Sequence, residues 1–251
     1  MILEKSILQG IENHKYLVKI AETDAEVERA LRLRYNVFGK ELDRNFNFKG
    51  KIDYDDFDDQ CHHLLVIDKD SDSIIGTYRL QTYQQAESGN GFVTAKRFEL
   101  ELLSESVLKE AFEVGRVCIS HDHRNGRVLY LLWKGLAAYL QYFQLRYLFG
   151  FAALNTKNPD VAMNTYHHLL KNGYVNTDFQ VNVRSEYQII ETNGTAKDEP
   201  VDIPPLFRNY LDVGTKICSK PAYDSKLGIY HFFILMDIET ISDRTRRMFF
   251  G

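Results

Sequence analysis

Six charged residues, Arg34, Asp55, Asp58, Arg79, Glu113 and Arg116, sit in segments whose neighbours read as buried. An ionised group in a folded interior is costly even after relaxation, so several together need partners. A charged, half-buried pocket is the reading this supports, with carboxylates to take a proton or hold an amine and guanidinium groups to hold anions. In Glu113-Val114-Gly115-Arg116 the two charges are three apart, and a regular strand would point them to opposite faces. A β-bulge at Gly115 would return both to one face and leave backbone amides unpaired, ready to polarise a carbonyl. An ordinary salt bridge beside a turn glycine accounts for the same tetrapeptide.

Asp53, Asp55, Asp56, Asp58 and Asp59 crowd one short loop. No glycine stands at the EF-hand turn position and no glutamate closes a twelve-residue loop, so calcium is not indicated. A solvated acidic loop is the default; the functional alternative has one or two carboxylates bind a cationic amine or fix Arg34, Arg79 or Arg116. His62-His63 and His121-Asp122-His123 lack metal-ligand spacing, and no metal site is expected. HDHRNGR reads as a turn before a helix whose first amides, with Arg124 and Arg127, make an anion or phosphate site. Plain helix entry with two surface arginines is the competing reading. Arg244, Arg246 and Arg247, with Lys216 and Lys220, form a C-terminal basic concentration, either a solvated face or a docking patch for an acidic partner.

These residues need a scaffold, and 251 residues with 44% hydrophobic content suffice for a large core. Thirty-one basic against thirty-five acidic residues give a charge of -4, which argues against general nucleic-acid binding. Three scattered cysteines suggest neither a disulfide framework nor zinc, and no secretory leader or stretch of about 18 apolar residues is seen, so a soluble protein of a reducing compartment is expected.

Tyr16–Ile20 predicts a strand, and Thr23-Asp24-Ala25-Glu26 a capping box opening a helix to about Leu42, with Arg34 on its apolar stripe. His62–Asp68 and Ser73–Tyr83 predict a hairpin about Lys69–Asp72. A helix is expected over Leu100–Ala111, a strand over Glu113–Ser120 and a central, buried helix over Arg127–Leu145. Then come a strand Tyr147–Leu154, a helix Pro159–Lys171 ended by Gly173, and a strand Tyr174–Val183. A polar loop over Glu191–Asp202 precedes a helix in Pro204–Ile217, a strand Gly228–Met236 and a helix Ser242–Phe250. Alternating strands and helices indicate a single α/β or α+β domain.

In order, Arg34 with Phe38, Asp55-x-Phe57-Asp58, Gly76-x-x-Arg79-Leu80 and Glu113-x-x-Arg116 resemble the successive signatures of acyl-homoserine-lactone synthases. The strings LRYNVFGKEL, DYDDFDDQCHHLLVID, IIGTYRL, EVGRVCI, LLWKGLAAYL and PPLFRNYLDVGTKICSKPAYD resemble more closely the lipid-forming ornithine-acyl carrier protein N-acyltransferase type, often labelled hemolysin-like. The resemblance covers roughly residues 16 to 250. Two departures matter. Autoinducer synthases carry a tryptophan soon after the Arg-Phe pair, where this chain has Arg44-Asn45-Phe46-Asn47-Phe48, which argues against an S-adenosylmethionine acceptor. HDHRNGRV stands where ordinary acetyltransferases have their coenzyme A loop.

The resemblance implies a GNAT-like α/β (α+β) fold, a central mixed and mostly antiparallel sheet flanked by helices. It implies one domain over 1–251 with a C-terminal extension from about 191. The implied activity is transfer of a (3-hydroxy) fatty acyl chain from acyl carrier protein to the α-amine of an amino acid such as ornithine, in aminolipid biosynthesis. No tightly bound cofactor is implied, the acyl-phosphopantetheine of acyl carrier protein being a donor substrate. The expected location is cytoplasmic, with peripheral membrane contact open to it. Glu113 is then the base, backbone amides at Gly115 hold the oxyanion beside Arg116, and Arg34, Phe38, Asp55, Asp58 and Arg79 shape the acceptor site. Arg124 and Arg127 hold the phosphopantetheine phosphate, and Trp133, Phe149 and Phe151 are candidate acyl-chain neighbours. The rival expectations are an acyl-homoserine-lactone synthase and a catalytically silent acyl-carrier or lipid-binding module.

Overall fold

The computed structural model describes residues 8, 11–41, 50–189 and 201–251. The expected helix end at Leu42, the stretch Arg44–Phe48 and most of the polar loop Glu191–Asp202 lie outside the described residues. In chain order the regular elements are β1 (Tyr16–Ile20), α1 (Asp24–Arg34), β2 (His62–Asp68), β3 (Ser73–Thr82), α2 (Tyr83–Ser88), α3 (Glu105–Lys109), β4 (Ala111–Ile119), α4 (Arg127–Phe143), β5 (Tyr147–Leu154), α5 (Pro159–Lys171), α6 (Pro205–Asp212), β6 (Lys216–Ile217), β7 (Ala222–Asp224), β8 (Ile229–Asp237) and α7 (Asp243–Phe249). The chain forms two compact units, one of residues 1–90, 114–145 and 247–251 and the other of 91–113 and 146–246.

In the first unit the strands run β1-β2-β3-β4, with β1/β2 and β2/β3 antiparallel. The β2–β3 hairpin forms as expected, and Asp72 near its tip takes a left-handed conformation (φ 49°). Thr23 caps α1 by accepting the Glu26 N–H at 3.2 Å. The Glu26 carboxylate takes the Glu22 N–H at 2.8 Å, one residue earlier than a standard capping box. Past Arg34 the chain continues as a π-helix over Tyr35–Glu41. Phe38 there packs into an apolar cluster with Ala30, Leu33, Val37, Leu65, Ile67, Ile74 and Cys118.

Helix α4 lies close on the hairpin because glycines let it. A Cβ at Gly76 would sit 2.6 Å from Val128 Cγ1, and one at Gly135 2.7 Å from Leu64 Cδ1. Gly76 thus marks the α4 side of β3, and by strand alternation Thr77, Arg79 and Gln81 point to the opposite face. Each fully buried Leu or Val side chain there, Leu64, Val66, Val128 and Leu132 among them, contributes about 1.5–3 kcal/mol.

In the second unit β5 pairs antiparallel with β8 over its whole length, from Tyr147↔Asp237 to Leu154↔Tyr230, and β6 and β7 also pair antiparallel with β8. The opening residues of β4 pair parallel with β5, Glu113 opposite Phe149. The strands thus make the mixed, mostly antiparallel sheet the resemblance implied. Helix α5 begins with Asn158 accepting the Asp160 N–H at 2.9 Å and ends before Gly173 (φ 73°), as its sequence predicts.

Several local expectations are corrected. Leu100–Ala111 is not one helix but a 3-10 turn (Leu100–Leu102) and the short α3, because Ser104 starts a new N-terminus by accepting the Val107 N–H, and Ala111 already belongs to β4. Tyr174–Val183 is not a strand. Its Asn176 side chain takes the Asp178 N–H at 2.7 Å, a turn that breaks the ladder, and only single bridges Val175↔Ile217 and Phe98↔Val183 remain. Pro204–Ile217 splits into α6 and β6 at Gly214, whose φ of 105° ends the helix.

Candidate functional site

In the first unit the loop before β2 folds back on itself. The Asp53 N–H donates to Leu31 O at 3.1 Å, tying the loop to α1, and the Asp58 N–H donates to Asp55 O at 2.9 Å. The Asp55 N–H in turn donates to Asp58 Oδ2 at 2.8 Å. This geometry sends Asp53, Asp55 and Asp58 inward and leaves Asp56 and Asp59 exposed. A run of five aspartates gives no hint of that sorting, and Asp53 is the site residue that sequence reasoning did not select.

Three arginines meet the three inward carboxylates. Arg34 donates from Nε to Asp53 Oδ2 at 2.9 Å and, bidentately, from Nη1 and Nη2 to Asp58 at 2.6 and 3.1 Å. Arg79 Nη1 donates to Asp55 Oδ1 at 2.6 Å and Asp58 Oδ1 at 3.0 Å, its guanidinium 5.8 Å from the Phe57 ring centre. Arg116 Nη2 donates to Asp55 Oδ2 at 3.0 Å, and its Nε lies 3.5 Å from Asp53 Oδ2. Three positive and three negative charges close on one another, which satisfies the condition that buried ions be paired.

Burial divides the set. Side chains of Arg34 and Asp58 are 1% exposed, whereas those of Asp55 and Arg116 are 31% and 26% exposed. Arg34, Asp53, Asp58 and Arg79 form a sealed base, with Asp55 and Arg116 as its open side. Burial alone would raise the Asp58 pKa, but the Arg34 and Arg79 charges outweigh it and hold the carboxyl well below the usual range. Asp55 is likewise lowered against its own burial, by Arg79 and then Arg116. His63, opposite Arg79 on β2, is pushed down to about 4 by burial, which its Asp58 neighbour only partly offsets, so it is neutral near pH 7.

Arg116 reaches its partners through a strained backbone. It has φ 52°, a left-handed value that a long side chain adopts only under constraint. The left-handed residue of this tetrapeptide is Arg116. Gly115 has no positive φ, and a Cβ built on it would meet nothing within 4 Å, so the backbone there is uncovered on that side.

In the second unit Glu113 is 4% exposed. Its Oε2 accepts the Val93 N–H at 2.9 Å and its Oε1 the Thr94 N–H at 2.6 Å. No salt bridge links Glu113 to Arg116 among those found for the described residues.

Arg124 and Arg127 stand at the entrance of α4, both exposed. Arg124 donates to Ile119 O at 3.0 Å and to Glu41 Oε2 at 2.6 Å, while the Arg127 backbone N–H donates to Asn125 Oδ1 at 3.1 Å. Trp133 packs on Phe249 at 5.8 Å in the first unit; Phe149 packs on Phe92 at 5.0 Å in the second, where Phe151 carries the Arg97 guanidinium at 5.1 Å. Trp133 and Phe149 are buried in the core, whereas Phe151 is half-buried. At the C-terminal basic stretch Arg246 donates to Ile238 O at 2.5 Å, and Arg247 is exposed. No group of three or more His, Cys, Asp or Glu able to hold a metal occurs among the described residues. No helix among them is long and apolar enough to cross a membrane.

The acetyltransferase (GNAT) domain family matches residues 33–134. The L-ornithine N(alpha)-acyltransferase of Brucella abortus (strain 2308) is 30% identical over 244 residues, covering 90% of this chain and 86% of that protein. That of Rhizobium meliloti (strain 1021) is 30% identical over 243 residues, covering 90% and 81%. Among solved structures, the AHL synthase LasI superposes with a TM-score of 0.52 at 12% identity, covering 94% of this chain and 95% of that one. The CoA-dependent acyl-homoserine lactone synthase BjaI, with MTA, does so with a TM-score of 0.52 at 13% identity, covering 93% and 87%. At such identities these two speak for the fold alone.

Proposed function

The chain belongs to the L-ornithine N(alpha)-acyltransferase family and is an acyltransferase, and from that premise we propose that it acylates the α-amine of ornithine or a similar amino acid with a (3-hydroxy) fatty acyl chain carried by acyl carrier protein. The observation that carries this reading is the division of the ionic network. Asp55 and Arg116 offer one negative and one positive group at its open side, over a base whose charges are already satisfied. An amino acid with a second amine brings a carboxylate for Arg116 and an ammonium for Asp55, exchanging one ion pair for two.

Attack on a thioester needs a neutral amine. Glu113, buried and held by two backbone N–H groups, takes the amine's proton through a water instead of by direct contact. The amine nitrogen then attacks the thioester carbon, and backbone N–H groups on the uncovered side at Gly115 receive the oxyanion. The C–S bond breaks and the thiol leaves with a proton. The exposed Arg127 guanidinium holds the phosphate of the phosphopantetheine arm, with Arg124 joining once it exchanges its Glu41 contact. The basic α7 surface, Arg247 included, suits an acidic carrier protein, and the setting is the cytoplasm.

The test is thiol release from 3-hydroxyacyl carrier protein by the purified chain with ornithine, checked by mass spectrometry of the N-acyl product. Glu113→Gln should lose about 10²- to 10⁴-fold in turnover, with thermal unfolding measured beside it because the Gln amide nitrogen cannot accept one of the two backbone N–H groups that Glu113 holds. Undiminished transfer by that variant removes Glu113 from the base role.

A further inference from the structure

From His123 to Pro159 the chain carries no Asp or Glu, although 35 of its 251 residues are acidic. That run contains α4, and the helix gathers its cations on one side. Arg127, Tyr130 and Lys134 stand three and four residues apart, which puts them on one face, while Val128, Leu132 and Leu136 are buried on the other. The end of α7 that belongs to the first unit, Arg247–Phe249, lies against the same face. Phe249 is buried, its ring 5.7 Å from that of Tyr130 and 5.8 Å from that of Trp133. The Tyr130 hydroxyl donates to Met248 O at 3.4 Å, and Lys134 Nζ donates to Phe249 O at 3.5 Å. Arg127 and Arg247 are exposed, and Tyr130 and Met248 remain 40% and 37% exposed beside them. Three cations thus accompany two uncovered apolar side chains, and neither contributing stretch, 123–159 or 247–251, supplies an Asp or Glu. Arg124, at the edge, already meets Glu41.

Cations that attract from a distance, with apolar groups that pack on contact, are what a protein partner of opposite charge requires. Which partner follows from Arg127. The phosphate assigned to it is esterified on one side to the pantetheine arm and on the other directly to the carrier protein, with no spacer between. The carrier's surface must therefore begin beside that guanidinium, and the outer face of α4 is what continues from it. We propose that Arg127, Tyr130 and Lys134, with Arg247 and Met248, form the seat of the carrier protein and make this chain prefer a carrier-borne acyl group to the same group on the free phosphopantetheine arm. This rests on the reading of acyl carrier protein as the donor and of Arg127 as its phosphate ligand. Lys134 and Arg247 meet carboxylates of the carrier, and Tyr130 and Met248 meet its apolar side chains. A free arm brings the phosphate and the thioester but forfeits all four of those contacts.

The experiment measures kcat and KM of the full chain with two donors, 3-hydroxyacyl carrier protein and the same acyl group on free phosphopantetheine. Parent, Lys134→Glu, Arg247→Glu and the double variant are compared, with thermal unfolding alongside. The parent should show the lower KM for the carrier-borne donor. Each reversal turns an attraction into a repulsion and should shrink that advantage, read as the ratio of the two KM values, about tenfold at low ionic strength and less at high salt. A ratio unchanged at low salt overturns the proposal. An equal rise in KM for both donors places the effect in the arm's own site and also overturns it. So does loss of binding to phosphatidylglycerol vesicles with the ratio kept, which assigns the face to a lipid surface. A parent that uses the free arm but not the carrier-borne donor overturns the donor reading itself, before any variant is made. If Lys134→Glu fails to fold, Arg247→Glu, at an exposed position, decides by the same ratio.

Discussion

Replacing Asp58 by Asn tests whether the base of the ionic network is structural and its open side functional. The substitution keeps the shape and removes one negative charge. Asp58 accepts from Arg34 at 2.6 and 3.1 Å, from Arg79 at 3.0 Å and from the Asp55 N–H at 2.8 Å. Afterwards Arg34 keeps only Asp53, Arg79 keeps only Asp55, and a neutral cluster becomes net positive where the Arg34 and Arg79 side chains are 1% and 5% exposed. Removing one partner of a buried pair costs about 3–5 kcal/mol, against a total stability of about 5–15 kcal/mol. With a urea slope of about 2–3 kcal/mol/M, the unfolding midpoint should fall by roughly 1–2 M. Asp55→Asn is the control, since that carboxylate is partly solvated and its pairs are worth about 1 kcal/mol or less. It should shift the midpoint little while raising KM for ornithine about tenfold or more, as expected when a charged contact is lost. The reasoning fails if Asp58→Asn stays within about 1 kcal/mol of the parent, or if Asp55→Asn destabilises as much.

Acid should weaken the fold through His63. Its folded pKa of about 4 lies below the ordinary 6.5, so the unfolded chain takes up the proton first. The stability it permits is complete above pH 6.5 and falls by about 3 kcal/mol as pH drops towards 4. Urea unfolding between pH 4 and 7.5 should show this decline, and His63→Gln should flatten it; an unchanged slope in the variant assigns the decline to other groups. Gly76→Ala places a Cβ 2.6 Å from Val128 Cγ1, on a fully buried β-branched side chain with little rotamer freedom. It should cost about 1–3 kcal/mol by thermal unfolding, and a neutral result would show that α4 can lift off β3 without loss.

Much of the scaffold was legible because the rules that make it are local. The strands Tyr16–Ile20 and Tyr147–Leu154 and the helix Pro159–Lys171 form where alternation, Asn158, Pro159 and Gly173 place them. Where a side chain competed for the backbone, as at Ser104 and Asn176, sequence periodicity misled. Much of the ionic network was legible through its charges, since Arg34 on an apolar helix stripe, Arg79 in a strand and Arg116 had to find counter-ions. Asp53 escaped because an irregular loop has no period from which to read its inward face.

By itself the sequence determined which charged residues stand in apolar surroundings and which family the chain belongs to, since burial and propensity are written in nearest neighbours and ordered motifs. Tertiary structure alone decided which of five aspartates turn inward, that the left-handed residue is Arg116 and not Gly115, and that the Glu113 oxygens are claimed by the Val93 and Thr94 amides. Those outcomes hang on contacts between residues 19 to 61 positions apart in the chain, such as Thr94 with Glu113 and Asp55 with Arg116. Hydrogen-bond geometry over such separations exists only once the loops have closed, and no local pattern encodes it.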